Sequence, residues 1–281
     1  MTNVLIENDK GGVGKSLITQ MLYIAARQNN QSPRLVEVET SSRLSHVVDR
    51  KSDYRHVAPP QMSPDEMYNN PDRAFDYWDH LAATISGQDA IVDLGANLAK
   101  PFHSWADQVG SDYYGDGADF VQVVVLTMES NSLSAGMQNL FDFGNVFPAA
   151  RRIAVLNPLI AEFVEGDQRI AKMLQDATGN GREIEAIRIK RLAAPAWGYL
   201  MNLGRLDRVL NDLPQALRVS HGGKSGGLDF LRPFCNFPGE IRGAALRGLL
   251  VLRGVGGLIV GGLLVGAVGF VGHGVGCLCA V

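Results

Sequence analysis

The residue types best suited to chemistry near the start of the chain lie in one glycine-rich run, residues 10–16, with the sequence Lys-Gly-Gly-Val-Gly-Lys-Ser. The glycines Gly11, Gly12 and Gly14 allow the backbone around Val13 to turn its amide N–H groups inward. The helix predicted to follow points its positive end at the same place. Both features favour an anion, so the run predicts a phosphate-binding loop.

The last two residues of this run carry the more specific chemistry. Lys15 is positioned to neutralise β- and γ-phosphate oxygens, and the hydroxyl of Ser16 to bind a Mg²⁺ that also holds the nucleotide. Asp9 stands where the general phosphate-loop pattern has its first glycine, so that pattern is not met in full. A nucleotide with Mg²⁺ is still the predicted ligand, because an apolar strand pattern precedes the loop and a helical pattern follows it.

Lys10, directly ahead of two glycines, makes the loop resemble the deviant Walker A motif of the ParA/MinD family of P-loop ATPases. The resemblance covers residues 1–215 and implies ATP and Mg²⁺ as cofactors. It also implies a homodimer in the ATP state, in which Lys10 reaches the phosphates of the nucleotide bound by the partner. The ATPase activity implied is weak and stimulated by DNA or a partner protein.

Acidic residues at predicted strand ends are candidates for holding the metal and the attacking water. Asp93 ends an apolar run and looks like the Walker B carboxylate, which would hold the Mg²⁺; an aspartate that caps a turn is the alternative. The family usually has Asp-x-Asp at the end of the second strand, and Glu37 and Glu39 stand in those places. Because glutamate is one methylene longer, Glu39 is expected either to align the water differently, with slow or lost hydrolysis, or to be simply solvated.

Other candidate ligand contacts follow from the same resemblance. Asn157 ends the strand predicted at residues 152–157, where an asparagine of the family often contacts the adenine edge; a turn-forming asparagine is the alternative. Two basic clusters are candidate DNA contacts, with a solvated surface as the alternative. They comprise Arg151, Arg152, Arg188, Lys190 and Arg191.

Alternating strand and helix patterns over residues 2–215 predict an α/β fold, a doubly wound, mostly parallel sheet with helices on both faces, as in P-loop NTPases. Strands are expected at residues 3–7, 34–39, 89–95, 120–128, 152–157 and 183–190. Helices are expected after the loop, after capping signals at Ser63 and Asn70, and at residues 132–147 and 168–177. Residues 43–62 lack periodicity and predict a loop or switch segment. The apolar stripe after Asn70 predicts core, with a partner-binding face as the alternative.

Composition narrows the class of protein. The net charge is −3 over 281 residues, and residues 1–240 carry −6. This balance argues against a protein that coats nucleic acid nonspecifically, but not against a local basic patch. The three cysteines all lie late in the chain and the six histidines are scattered, so we expect no disulfide framework, no metal site built from them and a cytoplasmic protein. Since the first residues lead directly into the strand at residues 3–7, no signal peptide is expected.

The tail, residues 241–281, differs from the rest: it is rich in Gly, Val and Leu, and 12 of its 41 residues are glycine. Residues 216–240 are predicted to be a linker to it. Three interpretations of the tail stay open: an out-of-frame or disordered segment, a marginal membrane span over residues 254–272, and a buried C-terminal element. A membrane role is not favoured, because close similarity to MinD would imply a short amphipathic C-terminal helix and the tail shows none.

Together these features predict an ATP-binding and hydrolysing dimerisation switch that positions plasmid DNA or a transfer or partition complex. The chain is similar to the plasmid stability and conjugative mobilisation branch of the family, of StbB/TraL type. One alternative is a non-hydrolysing, nucleotide-bound adaptor for a relaxase, secretion or division component. Another is a MinD-like membrane-associated ATPase.

Overall fold

The computed structural model of the chain describes residues 2–45, 48, 51–60 and 72–189. The strands are β1 (Asn3–Glu7), β2 (Arg34–Val38), β3 (Tyr54–His56), β4 (Ala90–Leu94), β5 (Phe120–Leu126), β6 (Arg151–Leu156) and β7 (Ile184–Arg188). The helices are α1 (Lys15–Gln28), α2 (Asp72–Ile85), α3 (Ala99–Trp105), α4 (Ser111–Tyr114), α5 (Ser130–Val146) and α6 (Gln168–Asp176). A π-helical segment, Ala106–Gly110, joins α3 to α4, and a 3₁₀ turn, Lys51–Asp53, precedes β3.

The strands form one parallel sheet in the order β3-β2-β4-β1-β5-β6-β7. β1 lies between β4 and β5, and the register pairs Ile6 with Asp93 on one side and Glu7 with Val124 on the other. The chain builds the sheet on the β4 side of β1 first and then crosses to the β5 side, so the strand order reverses at β1. Open α/β sheets bind ligands at the carboxyl ends of the strands at such a point. The phosphate-binding loop follows β1 at this position.

Both faces of the sheet are covered. In β1 the successive residues Val4, Leu5 and Ile6 are all buried, and successive residues of a strand point to opposite faces. Helix α1 packs against β4, and α5 packs against β5. Helices α2, α3 and α5 share an apolar cluster with the sheet, which includes Trp78 and Phe102. The prediction of a doubly wound parallel α/β sheet with helices on both faces is therefore confirmed.

The apolar stripe of α2 belongs to this core. Trp78, Leu81 and Ile85 are each at most 5% exposed, and the rings of Trp78 and Phe102 meet edge to face with their centroids 5.6 Å apart. The interpretation of the stripe as core is confirmed, and the alternative of a partner-binding face is wrong.

Two parts of the fold were not predicted. Residues 54–56 of the supposed loop form β3, a three-residue edge strand paired with β2, and residues 99–114 form α3, the π-helical segment and α4. Both lack the long periodic patterns that made the other elements predictable. The predicted helix start at Ser63, the linker and the tail lie outside the described residues, as does the end of the 1–215 domain. Among the residues that the structure describes, no helix is long and apolar enough to cross a membrane.

Arg152 is wholly buried in β6, which contradicts its prediction as a DNA contact. Its guanidinium donates hydrogen bonds of 2.8 Å to the main-chain carbonyls of Leu140 and Thr178, and burial lowers its pKa. A guanidinium used to bind carbonyls inside the fold has a structural role. Its neighbour Arg151 is partly exposed and forms an ion pair with Glu185.

Candidate phosphate-binding site

The loop between β1 and α1 has the backbone conformation that its glycines predict. Gly12 has a φ of 77° and Gly14 a φ of 100°, both in the left-handed region that other residues rarely adopt. Gly14 immediately precedes α1, so the loop ends at the positive end of a 14-residue helix. A Cβ atom at Gly14 would also lie 2.8 Å from the amide nitrogen of Asn157. Both conformation and space therefore require glycine at position 14.

Lys15 is buried at the start of α1, only 7% exposed. Its ammonium donates hydrogen bonds to the main-chain carbonyls of Asn8, at 2.8 Å, and Lys10, at 3.1 Å. Burial lowers the pKa of Lys15, while the nearby Asp93 and Glu39 carboxylates oppose that change. Two of the three ammonium protons are used within the loop, which leaves one for an anion held by the same loop.

The side chains of Ser16 and Asp93, the two predicted metal ligands, are in direct contact. The Ser16 hydroxyl, in the first turn of α1, donates a 2.7 Å hydrogen bond to Oδ2 of Asp93 in β4. The other carboxylate oxygen, Oδ1, is buried and has no hydrogen-bond partner among the described residues. Burial raises the pKa of Asp93 to about 6, against the opposing effects of the Ser16 hydrogen bond and the Lys15 charge. A hydroxyl and a carboxylate with an unsatisfied oxygen are the ligand types that Mg²⁺ prefers, so these residues fit that ion.

The side chain of Lys10 forms an ion pair within the same chain. Its Nζ lies 3.0 Å from Oε1 of Glu129, with 38% and 34% of the two side chains exposed. Glu129 follows β5 and Asp93 is the next-to-last residue of β4, so both lie at the carboxyl ends of parallel strands, at the same edge of the sheet. Glu129 was not predicted, although its place after a buried strand is the signal that indicates it.

Glu37, in β2, and Glu39, just after it, have different surroundings. Glu37 is buried and accepts hydrogen bonds from the amides of Arg43 and Leu44 and from the Tyr54 hydroxyl, at 2.5–3.0 Å. It therefore holds the segment after β2 against β3. Glu39 follows the end of β2 and accepts from the amide and hydroxyl of Thr40, at 2.9 and 3.1 Å. Its water-positioning role stays a prediction.

Asn157 follows β6 and lies against the back of the loop. Its amide nitrogen donates a 2.8 Å hydrogen bond to the main-chain carbonyl of Val13. This bond gives Asn157 a part in fixing the loop, whereas its contact with an adenine edge stays a prediction. Of the basic residues, Arg188 is partly exposed and donates to the carbonyl of Val164, while Lys190 and Arg191 lie outside the described residues.

A buried polar network beneath the loop was not predicted. Glu7, at the end of β1, is wholly buried and bonds to Gln122 of β5, at 2.5 Å, and to His103 of α3, at 3.2 Å. Burial alone would lower the pKa of His103, but the charge and hydrogen bond of Glu7 raise it overall. The pair spans 96 positions of the sequence, so only the packing of α3 over β1 shows it.

This pair predicts a pH-dependent contribution to stability. Because the pKa of His103 is raised in the folded state, the contribution is fully present below the unfolded-state pKa of about 6.5 and is lost as the pH rises through the folded-state value. We expect His103→Gln to lower the free energy of unfolding by about 1 kcal/mol more at pH 6 than at pH 9, since the charge-assisted bond is lost. Urea unfolding at a series of pH values measures this. The matched control is His80→Gln, at an exposed position of α2; an equal effect of both variants at every pH would contradict the prediction.

No family model and no curated protein sequence matches this chain. Among solved structures it is similar to the MinD cell division protein of Aquifex aeolicus, at 12% identity and a TM-score of 0.44 over 84% of this chain and 98% of that one. It is also similar to an ATP complex of McdA from Cyanothece, at 13% identity and a TM-score of 0.47 over 86% and 96%. A third is a plasmid partition protein of Borrelia burgdorferi, at 11% identity and a TM-score of 0.38 over 75% and 98%.

The candidate site is defined by this chain's own residues. The loop after the central strand, its buried lysine and the Ser16–Asp93 pair lie where the strand order of the sheet reverses. The chain thus has the α/β fold of a P-loop NTPase, with a phosphate-binding loop that resembles the deviant loop of the ParA/MinD family.

Proposed function

We propose that this chain is an ATP-dependent dimerisation switch of the ParA/MinD type, which positions plasmid DNA or a transfer or partition complex in the cytoplasm. The observation that carries the proposal is the P-loop itself, with a buried lysine at its end and a second, partly exposed lysine, Lys10, at its start. The first lysine accounts for nucleotide binding. The second would bind the nucleotide of a partner subunit, as a lysine at this place does in the family that the loop resembles, and its side chain is 38% exposed.

Within one subunit, three side chains would hold the nucleotide phosphates and their metal. Lys15 would donate its remaining proton to a phosphate oxygen. Ser16 and Asp93, whose side chains are joined by a 2.7 Å hydrogen bond, would hold Mg²⁺. When bound, Mg²⁺ would supply positive charge that neutralises the phosphate oxygens. The unpartnered Oδ1 atom of Asp93 supports this assignment.

The Glu37/Glu39 pair decides between a hydrolysing switch and an adaptor. The carboxylate of Glu37 is occupied by main-chain amides and Tyr54, which supports a structural role for it. Glu39 accepts both Thr40 hydrogen bonds on Oε1, and its Oε2 lies 3.8 Å from the Arg43 guanidinium, so a water positioned by Glu39 would compete with these groups. These contacts favour, as the second candidate, a nucleotide-bound adaptor for a relaxase, secretion or division component that hydrolyses ATP slowly or not at all.

The molar mass of the full chain in solution tests the proposal, measured by light scattering with ATP and Mg²⁺, with ADP and Mg²⁺, and without nucleotide. We expect a dimer with ATP alone, and a monomer in excess ATP and Mg²⁺ would rule out the dimer. Phosphate release with and without duplex DNA, at two salt concentrations, then separates the candidates. Stimulated turnover supports the switch, and a stable ATP dimer without turnover supports the adaptor. Cosedimentation with liposomes tests the MinD-like membrane alternative.

A further inference from the structure

Asp9, the residue that replaces the first glycine of the general P-loop pattern, joins the loop to the segment that follows Asp93. Its carboxylate oxygen Oδ1 accepts a 3.0 Å hydrogen bond from the amide of Ala99, the first residue of α3. Its main-chain carbonyl accepts a 3.2 Å hydrogen bond from the amide of Asn97. A glycine in this place could form only the second of these bonds.

The segment between Asp93 and α3 is tightly turned and lies against the loop. Asn97 has a φ of 63°, in the left-handed region that asparagine tolerates better than most residues. A Cβ atom at Gly11 would lie 3.8 Å from the Cβ of Ala96, which is ordinary van der Waals contact. Side chain, backbone and packing thus all join the start of the P-loop to residues 96–99.

A second hydrogen bond, between Glu7 and His103, also joins the end of β1 to α3. Glu7 and Asp9 are two residues apart where the chain leaves β1, and they bond to His103 and Ala99, which are one helical turn apart on α3. The intervening Asn8 is used differently: its side chain bonds to the carbonyls of Val125 and Ser132, at 2.8 and 3.1 Å. Two points of α3 are therefore fixed to the chain segment that becomes the loop.

We propose that Asp9 is a positioning residue that couples the phosphate-binding loop to α3, so that nucleotide binding at the loop changes the position or exposure of residues 96–105. The inference rests on the proposed function, since it needs a nucleotide at the loop. It explains the departure of this sequence from the general P-loop pattern: the carboxylate replaces a glycine because it provides an acceptor for the first turn of α3. The region that would respond begins three residues after the candidate metal ligand Asp93.

Hydrogen exchange of residues 96–105, with and without ATP and Mg²⁺, tests this coupling in wild type, Asp9→Ala and Asp9→Asn. In wild type we expect ATP to slow exchange in this segment at least fivefold. Asp9→Ala is expected to bind a fluorescent ATP analogue within threefold of the wild-type affinity but to lose the ATP-dependent change. Asp9→Asn keeps an oxygen acceptor and is expected to retain at least half of that change. The matched control is Asp176→Ala, at an exposed position at the end of α6, which should behave as wild type.

The other results overturn the inference in distinguishable ways. A wild-type response in Asp9→Ala, with nucleotide binding intact, overturns the coupling alone and leaves the proposed function standing. Loss of the fold or of nucleotide binding in both Asp9→Ala and Asp9→Asn, seen in thermal unfolding and in the titration, would show that Asp9 is only structural. Failure of the wild type to bind nucleotide would overturn the proposed function and the inference together.

Discussion

Replacing Lys15 with alanine is expected to abolish ATP binding while the sheet still folds. The ammonium is the one cationic group buried within the loop itself among the described residues, and two of its protons bond to the Asn8 and Lys10 carbonyls. A phosphate chain in this loop would lose a charge-assisted hydrogen bond and the positive charge that offsets its own. The variant also loses the contact that holds the start of the loop to α1.

The expected size of this effect is at least 100-fold in affinity. Hydrogen bonds to charged groups contribute about 1.5–3 kcal/mol each, and about 2.7 kcal/mol corresponds to a factor of 100 in the dissociation constant. Titration with a fluorescent ATP analogue measures the change, and thermal unfolding shows whether the fold is intact. The matched control is Lys172→Ala, at an exposed position of α6. Affinity within threefold of wild type in Lys15→Ala would refute the assignment of this loop.

The predictable part of the site is the part encoded in short stretches of sequence. The loop and Asp93 were found because each follows a run of buried apolar residues, and parallel strands place their carboxyl ends at one edge. Side chains at this edge can therefore come into contact even when they are far apart in the sequence, as Ser16 and Asp93 do across 77 positions. Each of these two positions is predictable without knowing which distant segment it contacts.

The rest of the site depends on which distant segments become neighbours. Glu7 resembled an ordinary strand end, and only the packing of α3 over β1 shows its bond to His103. The sequence assigns no contact to Glu37, because its carboxylate meets Tyr54 only through the pairing of β2 with the unpredicted β3. Arg152 was counted as a surface charge because the sequence does not show that main-chain carbonyls surround it.

Replacing Lys10 with alanine is expected to have the opposite profile to Lys15→Ala: nucleotide still binds, but ATP no longer produces a dimer. The only ion pair that the structure gives Lys10 among the described residues is with Glu129, and both side chains are more than one third exposed. Such a pair contributes no more than about 1 kcal/mol to stability, so its loss changes neither the fold nor the loop around Lys15. Because Lys10 contributes so little to the stability of its own subunit, its ammonium group can bind a phosphate of the partner's nucleotide without destabilising the fold.

Glu129→Gln provides the matched control, because it removes the same ion pair and leaves the lysine in place. We expect Lys10→Ala to bind the ATP analogue within threefold of wild type and to stay monomeric by light scattering in excess ATP and Mg²⁺. Glu129→Gln should still form the ATP dimer, and at an ATP concentration no higher than wild type requires, since Lys10 no longer has to leave a carboxylate of its own chain. An ATP dimer in Lys10→Ala would show that Lys10 is dispensable for association. Loss of the dimer in both variants would instead assign the effect to the ion pair, and Lys10 would then have a structural role within its own subunit.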